Sequence, residues 1–84
     1  MNAPDIIRDI VAKQGIQFST VCSRLGINKN TLSERLRQRN PRVEKMSEML
    51  RVIDYKLVAV PSNTSLKEGW YEVEVGEKIE KKKE

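Results

Sequence analysis

Apolar residues recur every three or four positions through residues 1–53, which is the spacing of amphipathic helices. A first helix is expected to start near Pro4, whose ring suits the first helical turn, and to end at Gly15. Its apolar face is made of Ala3, Ile6, Ile7, Ile10 and Val11. A last helix is expected after the break at Asn40-Pro41. Its apolar face is made of Val43, Met46, Met49, Leu50 and Ile53.

Residues 18–37 contain two shorter apolar faces separated by a glycine turn. The apolar positions are Val21, Leu25, Ile27, Leu32 and Leu36. Gly26 can take the left-handed conformation that ends a helix, and Asn28 is a preferred N-cap for the next one. Cys22 is a small side chain at a point where two helices would approach closely. The segment therefore has the pattern of a helix-turn-helix.

This segment resembles the helix-turn-helix of the Cro/C1-type (XRE family) repressors of bacteria and their phages, over about residues 3–60. The matching residues are Val21, Cys22, Leu25, Gly26, Ile27, Asn28 and Leu32. The resemblance implies a mainly α, four-helix, lambda-repressor-like domain whose second motif helix enters the DNA major groove. The chain departs from many relatives at Phe18, where they carry Gln, and at Arg35, where they carry an apolar residue.

The pattern changes after residues 1–54, which we expect to form the helix-turn-helix domain. Residues 55–60 are mostly aliphatic and are closed by Pro61, and residues 70–75 alternate partly, so residues 55–75 are predicted to form a β-hairpin. An isolated hairpin is marginal and leaves an open edge, which favours pairing with a second copy in a homodimer. The residues expected at that dimer interface are Leu57, Val58, Val60, Trp70, Tyr71 and Val73.

Three alternatives to the hairpin dimer stay open. The hairpin could cover one end of the helical core in a monomer, and Trp70 could seal the core of its own subunit. The helix at residues 42–53 is a second candidate for the dimer interface. Residues 76–84 form a charged tail that is expected to be disordered.

The positive charge of the chain is concentrated in the half that contains the motif. Residues 1–53 carry ten Lys and Arg against five Asp and Glu, whereas residues 54–84 carry six Lys against seven acids. Between Arg24 and Arg42, six bases accompany Glu34 alone. A solvated helix face is the simplest reading of such a run. Its coincidence with the motif favours binding to nucleic acid.

The proposed recognition helix starts at residue 29 and directs Leu32 and Leu36 to the core. The expected DNA base contacts are Lys29, Asn30, Ser33, Glu34 and Arg37, whose side chains suit base edges. The expected phosphate contacts are Ser19, Thr20, Asn28, Thr31, Arg39 and Arg42. Glu34 could instead pair with Arg37 or Arg35 on the helix surface, and Asn28 and Thr20 could act only as helix caps.

Several functional classes fit the composition poorly. The chain has one cysteine and no histidine, which disfavours a zinc site, an internal disulfide and cysteine-based catalysis, so Cys22 is interpreted as a packed core residue. No metal, no cofactor and no enzymatic activity are expected. The absence of a long apolar run and of a signal peptide predicts a cytoplasmic protein with no membrane association. The function expected is a DNA-binding transcription regulator, with the antitoxin of a toxin–antitoxin pair as the alternative.

Overall fold

A computed structural model of the chain describes residues 1–74, and the predicted tail at residues 76–84 lies outside this range. The described part contains four α-helices, in the order that the apolar pattern predicts. They are α1 (Ala3–Gln14), α2 (Phe18–Leu25), α3 (Lys29–Arg37) and α4 (Val43–Arg51). None of these helices is long and apolar enough to cross a membrane.

The ends of α1 are set by local hydrogen bonds. The side chain of Asn2 accepts a hydrogen bond from the backbone N–H of Asp5 at 3.0 Å, and Pro4 lies in the first turn. Gly15 ends the helix with φ at 69°, where an L side chain would be strained. The predicted apolar face of α1 is buried throughout and forms one wall of the core.

The four helices enclose one apolar core. Its buried members are Ala3, Ile6, Ile7, Ile10, Val11, Val21, Cys22, Leu32, Leu36, Met46, Met49, Leu50 and Ile53. The packing role predicted for Cys22 is confirmed, because only 6% of this residue is exposed. Burial of aliphatic side chains is the main force that holds such short helices together, because isolated helices of this length are marginal in water.

Long polar side chains tie the C-terminal end of α4 to the rest of the domain. Arg24 donates a hydrogen bond to the carbonyl oxygen of Val52 at 2.8 Å, and Gln14 donates one to that of Ile53 at the same distance. Both acceptors lie just after α4, where helix carbonyls lack partners within the helix. These bonds hold α4 against α1 and α2.

The predicted β-hairpin at residues 55–75 is absent from residues 55–74. Val75, the last residue of the predicted hairpin, lies outside the described residues. Residues 55–74 contain no strand, and they follow the surface of the core as an irregular arm, here called the C-terminal arm. The N–H groups of Thr64 and Trp70 donate hydrogen bonds within local turns. The N–H of Glu74 donates to the carbonyl oxygen of Met1 at 3.0 Å.

Side-chain contacts explain why the arm lies on its own core instead of forming a hairpin. The Tyr55 hydroxyl donates to the carbonyl oxygen of Gly69 at 2.7 Å, and the Tyr71 hydroxyl donates to Asp9 on α1. The two tyrosine rings contact each other, with centroids 6.1 Å apart. Together with Leu57, they pack against the buried core. The predicted hairpin is therefore wrong for the described residues, and the arm packs against the core without forming strands.

Candidate nucleic-acid interface

The turn between α2 and α3 has the hydrogen bonds that its sequence predicts. Gly26 takes the left-handed conformation, with φ at 72°, and its N–H bonds to carbonyl oxygens in the last turn of α2. The N–H of Ile27 donates a hydrogen bond to the carbonyl oxygen of Cys22 at 3.0 Å. The Asn28 side chain then caps α3 by accepting from the N–H of Thr31 at 2.8 Å. This turn fixes the direction in which α3 leaves α2.

Two buried leucines decide which face of α3 points outward. Leu32 and Leu36 are 3% and 9% exposed and belong to the core. The residues expected to contact bases all lie on the exposed side, as the four-residue spacing predicts. These residues are Lys29, Asn30, Ser33, Glu34 and Arg37. Within the described residues, no side chain bonds to Lys29, Asn30 or Ser33, so these three are available to a ligand.

Glu34 and Arg37 form an ion pair on the exposed face of α3, with 3.3 Å between Oε2 and Nη1. Both side chains are about two-thirds exposed, at 65% and 69%. Exposed pairs of this kind contribute about 0–1 kcal/mol, so a stronger ligand can separate them. Of the two arginines predicted as possible partners of Glu34, the structure pairs it with Arg37 and not with Arg35.

The six expected phosphate contacts occupy different environments. Ser19, Asn28, Arg39 and Arg42 are exposed, whereas Thr20 and Thr31 are half-buried. Ser19 donates to Gln17 at 3.3 Å, and Asn28 is engaged as the α3 cap. The cap of α2 is Gln17 and not Thr20, and the Thr20 side chain makes no hydrogen bond within the described residues. The side chains of Arg39 and Arg42 are likewise unpaired there.

A small basic pocket lies near the C-terminal end of α3. Of the residues that line it, only Arg42 was predicted from the sequence as a phosphate contact. It has a volume of about 190 Å³ and is lined by Arg35, Gln38, Pro41, Arg42 and Lys45. It opens beside the first turn of α4, whose cap residue Arg42 makes no side-chain hydrogen bond to the helix. The N–H groups of a first helical turn favour a negative charge. Of the three cationic side chains in the lining, Arg35 is paired with Glu48, whereas Arg42 and Lys45 have no acidic partner within the described residues, so these two could attract an anion.

Arg35 is the one basic residue of α3 that is half-buried. Its guanidinium is 3.4 Å from Glu48 on α4, and its side chain is only 17% exposed. The pair joins α3 to α4. The only sequence signal for it was a base three residues after Leu32 and an acid on the outer side of α4.

The six residues expected at the dimer interface differ in their exposure. Leu57 and Tyr71 are half-buried against the core of their own chain. The other four residues have exposed fractions between 44% and 63%. These residues are Val58, Val60, Trp70 and Val73. Trp70 does not seal the core, and its ring lies 5.3 Å from the Lys67 ammonium group.

Comparisons of the chain with protein-family models, with curated proteins and with solved structures find no match.

Proposed function

We propose that this protein is a sequence-specific duplex DNA-binding transcription regulator, of the repressor type that the Cro/C1 resemblance implies. It inserts α3 (Lys29–Arg37) into the major groove and acts in the cytoplasm as a homodimer. The observation that carries the proposal is the outer face of α3, where unpaired polar side chains stand beside a cluster of arginines. A helix anchored by leucines on one side and polar on the other fits the major groove.

The residues near the start of α3 are proposed to read bases. Asn30 can bond both N6 and N7 of adenine, and Lys29 can donate to guanine. Ser33 lies one turn further along the same face. Glu34 and Arg37 join them when their mutual ion pair opens, Glu34 accepting from cytosine and Arg37 donating to guanine. Exposure and freedom from internal bonds support the first three most strongly.

The basic pocket after α3 is proposed to hold one DNA phosphate. Arg42 and Lys45 supply the positive charge. Arg35 supports the pocket through its bond to Glu48. Arg39, which is exposed, is proposed as a further phosphate contact. The other proposed phosphate contacts are Ser19, Thr20, Asn28 and Thr31. Such contacts position a protein on DNA without reading its sequence.

Matched substitutions test the two roles separately. Asn30→Ala is expected to relax preference at one base pair, with a loss of about 1–3 kcal/mol on the preferred site if both bonds to adenine form. Arg42→Ala is expected to weaken binding to all duplexes alike and to reduce the slope of log K against log salt by about 1. Binding is measured by fluorescence anisotropy over a salt series. An Asn30 variant with wild-type base preferences would overturn the assignment of Asn30 as a reader.

A second candidate function is that of an antitoxin, which binds its operator through α3 and masks a toxin protein. The exposed apolar residues of the C-terminal arm favour it, because contiguous apolar surface is typical of protein interaction sites. A toxin reading frame beside the gene, and a stable complex of the two purified products, would support this function. A homodimer that binds DNA fully without any such neighbour would exclude it.

A further inference from the structure

The two ends of α3 are held in different ways. At the start, the Gly26 turn and the Asn28 cap set the direction of the helix. At the end, the cap residue Gln38 is extended, with φ at −82° and ψ at 119°, and its N–H donates to the carbonyl oxygen of Arg35. No left-handed glycine closes this end, so its last carbonyl groups and its direction depend on contacts with other helices.

Two arginines supply such contacts, one to α1 and one to α4. Arg8 of α1 donates to the carbonyl oxygen of Leu36 at 3.4 Å, and its other terminal nitrogen lies 3.4 Å from Asp5. Arg35 reaches Glu48 on α4, with 3.4 Å between Nη1 and Oε1. Direct packing of α3 on α1 and α2 supports the first contact. Among the described residues, the Arg35–Glu48 pair is the only polar side-chain contact between α3 and α4.

The Arg35–Glu48 pair is better shielded from water than the other ion pair of α3. The exposed fraction of the Arg35 side chain is 17% and that of Glu48 is 47%, whereas Glu34 and Arg37 are 65% and 69% exposed. Salt and water weaken a partly buried pair less than an exposed one. Because Arg37 follows Arg35 by only two residues, a shift of the helix at Arg35 also moves Arg37.

We infer that Arg35, through Glu48, is a positioning residue that decides which base pair the C-terminal half of α3 reads. It contacts no base itself and acts through Arg37. This inference rests on the DNA recognition of the proposed function and adds a specificity-determining pair to it. A binding group must be held within about 0.5 Å of its productive position by contacts behind it. Asn30, near the start of α3, is held by the turn and the cap and does not depend on the pair.

Glu48→Gln tests this role, because it breaks the ion pair and leaves the charge of Arg35 in place. The variant gains one positive charge, so a purely electrostatic role predicts equal or tighter binding to every duplex. A positioning role predicts that preference at the base pair read by Arg37 falls about tenfold. Preference at the base pair read by Asn30 should stay at the wild-type level. Selection of random duplexes with Arg37→Ala and with Asn30→Ala identifies the two base pairs.

A matched control and a charge exchange complete the experiment. Glu44→Gln makes the same change of charge one turn earlier on α4, at an exposed residue with no ion pair within the described part of the chain. It should keep both base preferences. The double variant Arg35→Glu with Glu48→Arg has the net charge of wild type and can form the pair in reverse. It should regain the preference that each of its single substitutions loses. Thermal unfolding of every variant ensures that binding is compared among folded proteins.

Three results would overturn the positioning role. The first is a Glu48→Gln variant that keeps the wild-type preference at the base pair read by Arg37, or that loses preference equally at both base pairs. The second is a double variant that regains nothing. The third is an Arg37→Ala variant with wild-type preferences, because Arg35 would then have no reader to position. A site selected alike by wild type and Glu48→Gln contradicts this inference alone, whereas wild type that selects no site contradicts the proposed function as well.

Discussion

Truncation of Leu32 tests whether α3 is oriented as described, because this side chain decides which face of the helix points outward. Leu32 is 3% exposed, and α3 packs on both α1 and α2. Leu32→Ala removes three buried carbons, which amounts to about 2.4 kcal/mol of lost transfer free energy. The cavity left behind brings the expected total to about 2–5 kcal/mol. For a domain of this length, with a free energy of unfolding of about 4–13 kcal/mol, that is a large fraction.

Thermal unfolding followed by circular dichroism is the appropriate assay. A loss of about 3 kcal/mol should lower the Tm by about 12–24 °C in a domain of this size. Leu66→Ala is the matched control, since Leu66 is 51% exposed and lies outside the core cluster, and its effect should stay within about 0.5 kcal/mol. Equal Tm values for wild type and the Leu32 variant would refute the orientation of α3 and, with it, the assignment of its outer residues to DNA.

Three further predictions concern the turn, the cap and the arm. Gly26→Ala should cost about 1–2 kcal/mol through its left-handed backbone alone, because a Cβ there meets no atom within 4 Å. Asn28→Ala should cost about 0.5–2 kcal/mol by removing the α3 cap. Bonds from Tyr71 and Lys13 lower the pKa of Asp9, so its stabilising effect should be present above its ordinary pKa and lost as pH falls through the lower folded value.

Chemical denaturation checks all three of these predictions. Unchanged stability of the Gly26 variant would indicate a different turn, and an unchanged Asn28 variant would indicate that another group caps α3. Asp9→Asn should remove part of the acid-induced loss of stability, and Tyr71→Phe should remove a similar part. Identical pH profiles of stability for wild type and both variants would contradict the hydrogen bond between Tyr71 of the arm and Asp9 of α1.

The helices could be predicted from the sequence because their determinants are local. The apolar spacing of α1, the left-handed Gly26 and the Asn28 cap all act within a few residues, and the structure has each of them as predicted. The same spacing sorted α3 into a buried face and an exposed one. The side on which its polar residues lie followed from the positions of Leu32 and Leu36.

The C-terminal arm could not be predicted in the same way, because its conformation depends on distant partners. Residues 55–60 have a strand-like composition, yet strand formation needs a neighbouring backbone. The hydroxyl groups of Tyr55 and Tyr71 decide the outcome by bonding to Gly69 and Asp9, and no local pattern indicates either acceptor. The Arg35–Glu48 pair was missed for the same reason.

Selection of random DNA duplexes by the purified full chain tests the central claim most directly. If two copies present their α3 helices to DNA, the selected sequences should form an inverted repeat with half-sites about one helical turn apart. The same selection with Asn30→Ala should lose preference at symmetric positions in both half-sites while keeping the spacing. Selection that returns no enriched sequence from wild type, or an identical sequence from wild type and the Asn30 variant, would contradict recognition of DNA by α3.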